Sequence, residues 1–152
     1  MTPEEREQLI QRYQSGGTSL NEALQAITRE SLDRAPVGEW SARQIIHHVA
    51  DAEVLRSAQL RILLGGRKVA NPSVRPGPRL EHYQRPLEAS LDLLRAAIEA
   101  NLVLLRCLPA GEWVRPDPNG DSGNFSIEEW LRRAANHAHQ HAEQVRNLIA
   151  DA

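Results

Sequence analysis

Residues 126–152 read SIEEWLRRAANHAHQHAEQVRNLIADA, and the rest of the chain is organised around this stretch. Ser126 followed three residues later by Glu129 forms a capping box, which predicts a helix start. Steps of three and four then give one helical face: Ile127, Trp130, Ala134, His137, His141, Val145 and Leu148. Two histidines therefore stand one turn apart within an apolar stripe. Imidazoles so placed need partners, because a buried polar group left unpaired costs about 1–3 kcal/mol. A metal ion is one such partner, since His at i and i+4 can aim two ring nitrogens at one point.

The second informative stretch is SARQIIHHVADAEVLRSAQLRILLGG, residues 41–66. Ser41 with Gln44 is another capping box, and the helix is expected to run to Leu64 before Gly65 and Gly66. Its stripe of Ile45, His48, Ala52, Leu55, Gln59 and Ile62 puts His48 inward. His47 lies about 100° round the helix and is expected to be the less inward of the pair.

Elsewhere, Thr2-Pro3-Glu4-Glu5 reads as a helix start, and Ser15-Gly16-Gly17 is expected to end or kink that helix. Ser19 with Glu22 then opens a further piece bearing Leu20, Ala23, Leu24 and Ile27, closed by Pro36 and Gly38. Pro72, Pro76 and Pro78 mark residues 66–80 as a long loop or crossover. A helix is expected from near Pro86 to Cys107, with the stripe Leu87, Leu91, Leu94, Ile98, Asn101, Leu105 and a single polar intrusion at Asn101. Residues 109–125 read as a loop. Pro36-x-Gly38-Glu39-Trp40 recurs as Pro109-x-Gly111-Glu112-Trp113, each ahead of a histidine-bearing helix, a hint of paired helical units. With no alternating strand pattern, the expected fold is an all-α four-helix bundle forming a single domain over 1–152.

The formal charge of −2 over 152 residues argues against a nucleic-acid or polybasic membrane surface. No apolar run reaches the roughly 20 residues of a membrane span, no signal-peptide pattern is visible, and Cys107 is the single cysteine; a cytoplasmic location is expected. Lys68 is the only lysine among 18 basic residues, a feature of coding rather than chemistry.

Three histidines on two inward faces match the protein ligands of a catalytic zinc or similar ion with one position open. They could equally be satisfied by core hydrogen bonds or turned to solvent. His139 faces away from the pair and is expected to be solvated, and His82 has no spacing partner. A zincin is excluded because Ala138, not Glu, follows His137. Asp51 could orient a ligand imidazole but is read as a solvated carboxylate, and Cys107 as a small buried apolar residue. No Ser-His-Asp arrangement or phosphate-binding glycine loop is visible.

WSARQIIHHVADAE at 40–53, followed by HAHQHAEQV at 137–145, resembles the DinB-like superfamily of bacterial four-helix bundles. That superfamily includes proteins similar to bacillithiol transferase and the metal-binding domain of mycothiol-dependent enzymes. The resemblance covers nearly the whole chain. It implies His48, His137 and His141 as ligands of a divalent ion, commonly zinc or nickel, a crossover between the second and third helices, and often a homodimer. A His-Pro pair common in the family before the last helix is replaced here by Asp117-Pro118. The expected function is a metal-dependent enzyme acting on a small-molecule substrate by thiol S-transfer or hydrolysis, with a low-molecular-weight thiol as a further cofactor. The alternative is a metal-stabilised stress or interaction protein without turnover. The resemblance carries fold and metal further than it carries the reaction.

Overall fold

Helix ends follow from local chemistry. In the computed structural model, which describes residues 1–66, 85–117 and 125–150, four long helices carry the fold, and no strand occurs among the described residues. Helix α1 spans Pro3–Gln25, α2 Ala42–Gly65, α3 Leu87–Arg106 and α4 Ile127–Ala150, with a 3-10 turn at Ala110–Glu112. Both N-terminal capping boxes form as read. Thr2 Oγ1 accepts from the Glu5 amide at 3.2 Å while Glu5 returns a carboxylate to the Thr2 amide. Ser41 and Gln44 do the same on α2. At α4 the Ser126 hydroxyl accepts from the Glu129 amide at 3.4 Å. Helix α2 ends at Gly66 in the left-handed region (φ 61°), where glycine carries no steric penalty. Arg115 then donates to the Leu63 and Leu64 carbonyls, satisfying acceptors that the helix end leaves open.

Hydrogen bonds between helices give their directions. Arg6 reaches Glu128, Arg12 reaches Asn136 and Arg146 reaches Ser19, so α1 and α4 run parallel. Ser90 meets His47 and Asn101 meets Ser57 and Arg61, so α2 and α3 are also parallel. Trp130 bonds the Arg56 carbonyl while His141 faces His48, which makes α2 antiparallel to α4. Tyr13 bonds Asn101 while a Cβ at Gly17 would lie 3.7 Å from Ile98 Cδ1, so α1 is antiparallel to α3. Parallel α2 and α3 place Gly66 and Arg85 toward opposite ends of the bundle, as the expected crossover requires. The loop expected at 66–80 lies outside the described residues beyond Gly66, as do His82 and Pro118.

Several expectations are corrected. Ser15-Gly16-Gly17 does not end α1; the two expected pieces are one helix and Ser19 lies inside it. The reason is tertiary. A Cβ at Gly16 would sit 2.9 Å from Ala138 Cβ, so the glycine lets α1 lie directly on α4. That contact outweighs the roughly 1 kcal/mol cost of glycine inside a helix. Cys107, read as buried, is exposed at the end of α3. The α2 stripe holds over Ile45, His48 and Ala52, but Gln59 has drifted into solvent. Ile46, Val49, Glu53 and Leu60 form a second, more buried stripe facing α3 and the core. The repeated Pro-x-Gly-Glu-Trp motif precedes α2 and α4, but Gly38 has φ 82° whereas Gly111 lies in the 3-10 turn, so the backbones differ.

Candidate metal centre

The histidine on α2 and the pair on α4 meet. His48, His137 and His141 each offer a ring nitrogen, and these atoms lie within 4.8 Å of one another. Ring centroids are 5.5 Å apart for His48–His137, 5.0 Å for His48–His141 and 4.6 Å for His137–His141. All three are half-buried, and Trp40 packs against His48 at 4.7 Å to form one wall. His137 and His141 share a face by the i, i+4 spacing; His48 arrives because α2 and α4 are antiparallel neighbours.

The donor set fits a metal ion. Burial first, then the neighbouring charge of His141 and Arg56, pushes His48 down to about 4. Burial, then Arg56, His141 and His48, pushes His137 to about 2. His141 is lowered by burial, partly offset by its hydrogen bond to Gln144. At neutral pH all three are therefore neutral imidazoles with lone pairs, the form that binds metals. His141 Nδ1 lies 2.9 Å from Gln144 Oε1, an acceptor to which Nδ1–H donates, which leaves Nε2 with its lone pair free for a metal. Neither His48 nor His137 makes a hydrogen bond among the described residues. Ring nitrogens within 4.8 Å of one another would hold one divalent ion after modest rotamer adjustment.

The other sequence candidates fall elsewhere. His47, expected to be the less inward, is fully buried, with Nδ1 2.7 Å from Ser90 Oγ on α3. Helix α2 packs against both α3 and α4, so its buried arc is wider than one stripe, and His47 belongs to the α3 side. Asp51 is not solvated: it is mostly buried and pairs with Arg85 at 2.7 Å. His139 faces away from the pair as expected, but it is half-buried against α1, within 2.9 Å of the Arg12 carbonyl.

Below the histidines lies a polar network that the sequence reading missed. Tyr13 donates its hydroxyl to Glu53 Oε1 in a short hydrogen bond. Asn101 Nδ2 reaches Tyr13, Glu53 and Ser57 at 2.8–3.1 Å, and Arg61 donates to Asn101 Oδ1 at 2.9 Å. Burial, then Glu53, holds the Tyr13 hydroxyl far above its usual range, and burial raises Glu53. The signal was present: Asn101 in an apolar stripe demands a polar partner, and Glu53 lies in register with Ile46, Val49 and Leu60. A cleft of about 500 Å³ between α1 and α3, lined by Gln14, Asn21, Asp92, Arg95 and Glu99 among others, contains none of the three histidines.

This chain belongs to the DinB superfamily, whose model matches residues 12–145. It is similar to the Oceanobacillus iheyensis protein named "Putative metal-dependent hydrolase OB0782", 29% identical over 128 residues, covering 80% of this chain and 73% of that protein. BH0277 of Halalkalibacterium halodurans, of the same description, is 27% identical over 157 residues, covering 96% of this chain and 90% of its own length. Among solved structures, YfiT from Bacillus subtilis, described as a probable metal-dependent hydrolase with an unusual four-helix bundle topology, superposes with a TM-score of 0.79. That match covers 97% of this chain and 87% of YfiT at 23% identity, and it bears on the fold. Among the described residues no helix is long and apolar enough to cross a membrane.

Proposed function

We propose that this protein is a metal-dependent enzyme that activates a thiol or a water molecule against a small-molecule substrate, with His48, His137 and His141 as the protein ligands. The observation that carries the reading is the convergence of three neutral imidazoles, two of them without any hydrogen bond among the described residues. A divalent ion there, zinc or nickel by its preference for imidazole, supplies positive charge that lowers the pKa of a thiol or water at an open position. The chain's own residues hold that centre: Gln144 fixes the His141 tautomer, Trp40 walls off one side, and the neutral ligand set leaves the positive charge uncompensated. No side-chain base is needed for thiolate formation, and among the described residues the histidine cluster includes no carboxylate. The relatives' names favour hydrolysis; thiol S-transfer rests on the resemblance to thiol-dependent members, as do the low-molecular-weight thiol and the homodimer.

The test is a metal-dependent turnover screen. With a chlorinated nitroaromatic and a small thiol, a carbon–sulfur bond forms, the carbon–chlorine bond breaks, chloride leaves and the thiol proton passes to solvent; ester substrates cover the hydrolytic branch. Turnover is expected to vanish on chelation, return on metal addition and be lost in His141→Ala with the helical spectrum kept. Metal-dependent stabilisation without any turnover would favour the non-catalytic alternative.

A further inference from the structure

Of the three histidines, His48 is the one whose direction no polar contact of its own fixes. His141 is held through Nδ1 by Gln144. His137 stands between Asn136 and His139, which Arg12 of α1 meets at 2.8 and 2.9 Å. His48 makes no hydrogen bond among the described residues, and Trp40 packs against its ring at 4.7 Å. Its aim is therefore set by how α2 is turned about its own axis.

That turn of α2 is gripped from outside by one residue. Arg85, just ahead of α3, donates from Nη2 to the His47 carbonyl at 3.2 Å and to Asp51 Oδ1 at 2.7 Å, and from Nε to Ser90 Oγ at 2.6 Å. Ser90 Oγ in turn meets His47 Nδ1 at 2.7 Å. His47 and Asp51 flank His48 at i−1 and i+3. At about 100° per residue they lie about 100° and 60° to the same side of it. The grip thus falls on a single flank of α2, the one facing α3, at the level of the ligand. It is an interior grip: His47 and Ser90 are fully buried, and the Asp51 side chain is 12% exposed. His47 Nε2 and Asp51 Oδ2 are buried without partners, so neither side chain has a second anchor through its remaining polar atom.

A metal constellation must be held to within about 0.5 Å of its working geometry. Without Arg85 the buried Asp51 carboxylate is left unpaired, and turning α2 to bring it toward water would relieve that cost. His48 would turn with it. We propose that Arg85 is the positioning residue for His48, acting through the α2 backbone and Asp51 rather than through the imidazole. This rests on the metal-dependent reading above, since an ion is what His48 is aimed at.

The test measures zinc affinity by competition with a chromophoric chelator, and the d–d absorption of cobalt-loaded protein, in Arg85→Gln, Arg85→Lys and Leu105→Ala. Leu105 is buried about four turns beyond Ser90 on α3, so its truncation lowers stability away from this network. Arg85→Gln is expected to weaken zinc about tenfold or more, the scale seen for groups that support metal ligands, and to change the cobalt absorption. Arg85→Lys keeps the charge beside Asp51 but cannot span the three acceptors, and should fall between Arg85→Gln and wild type. Leu105→Ala is expected to stay within about threefold of wild type. Wild-type affinity and cobalt absorption in Arg85→Gln, or an equal loss of affinity in Leu105→Ala, overturns the proposal. Should Arg85→Gln fail to fold, Arg85→Lys carries the comparison: weakened zinc binding supports the proposal, and unchanged binding overturns it. Should wild type bind no zinc, the metal reading falls by itself and metal-free protein decides, through the nuclear Overhauser contact between the Trp40 indole and the His48 ring. Loss of that contact in the Arg85 variant, with retention in Leu105→Ala, supports the positioning role; retention in both overturns it.

Discussion

Two of the polar clusters inside this bundle are built to opposite specifications. Tyr13, Glu53, Asn101 and Ser57 close on one another, with Asn101 using both ends of its amide. Among the described residues, the cluster of His48, His137 and His141 makes one hydrogen bond, from His141 to Gln144. The first cluster needs nothing further and acts as structure: it ties α1, α2 and α3 together at their centre. The second is a convergence of imidazole nitrogens of the kind that could hold a metal ion. The contrast teaches that buried polarity marks a site when it is left unsatisfied, rather than merely when it is present.

Substitution should separate the two most strongly in metal-free protein. Asn101→Ala leaves Tyr13, Glu53 and Arg61 short of a partner and is expected to cost about 2–4 kcal/mol in chemical denaturation. His48→Ala breaks no hydrogen bond and should cost about 1 kcal/mol or less. Comparable losses would mean that the histidines are structural as well. A smaller effect should come from Gly16→Ala, which pushes α1 off α4 and loosens Tyr13's reach to Glu53; about 1–3 kcal/mol is expected, as for overpacking, with metal binding retained.

The remaining effect is of pH. His48 has a folded pKa of about 4 against an ordinary 6.5, so the unfolded chain binds a proton that the fold refuses. This contribution to stability is fully present above 6.5 and is lost as pH falls from there toward about 4, with His137 and His141 acting in the same direction. Thermal melts of metal-free wild type should thus fall over that interval, and His48→Ala should flatten part of the slope. An equal slope in both would remove His48 from the account.

Much of this architecture was legible because helix ends are written in local chemistry. The capping boxes at Thr2, Ser41 and Ser126 and the glycine at 66 each mark an end that the structure keeps. The i, i+4 spacing of His137 and His141 carried the pair, and His48 followed from its stripe. Three of the misreadings share one cause, which is tertiary contact. Gly16 reads as a break until Ala138 is seen against it. His47 reads as outward until α3 brings Ser90 to it. Asp51 reads as solvated until Arg85 arrives from beyond the crossover. Arg56 and Glu53 were not singled out because nothing local says which charges a bundle will enclose.

The most direct test of the central claim is the metal content of purified protein, measured by mass spectrometry across single histidine substitutions. Wild type, His47→Ala and His139→Ala are expected to hold about one ion per chain, and His48→Ala, His137→Ala and His141→Ala to lose most of it, since two protein ligands hold an ion weakly. Retention in His137→Ala, or loss in His139→Ala, would contradict the account.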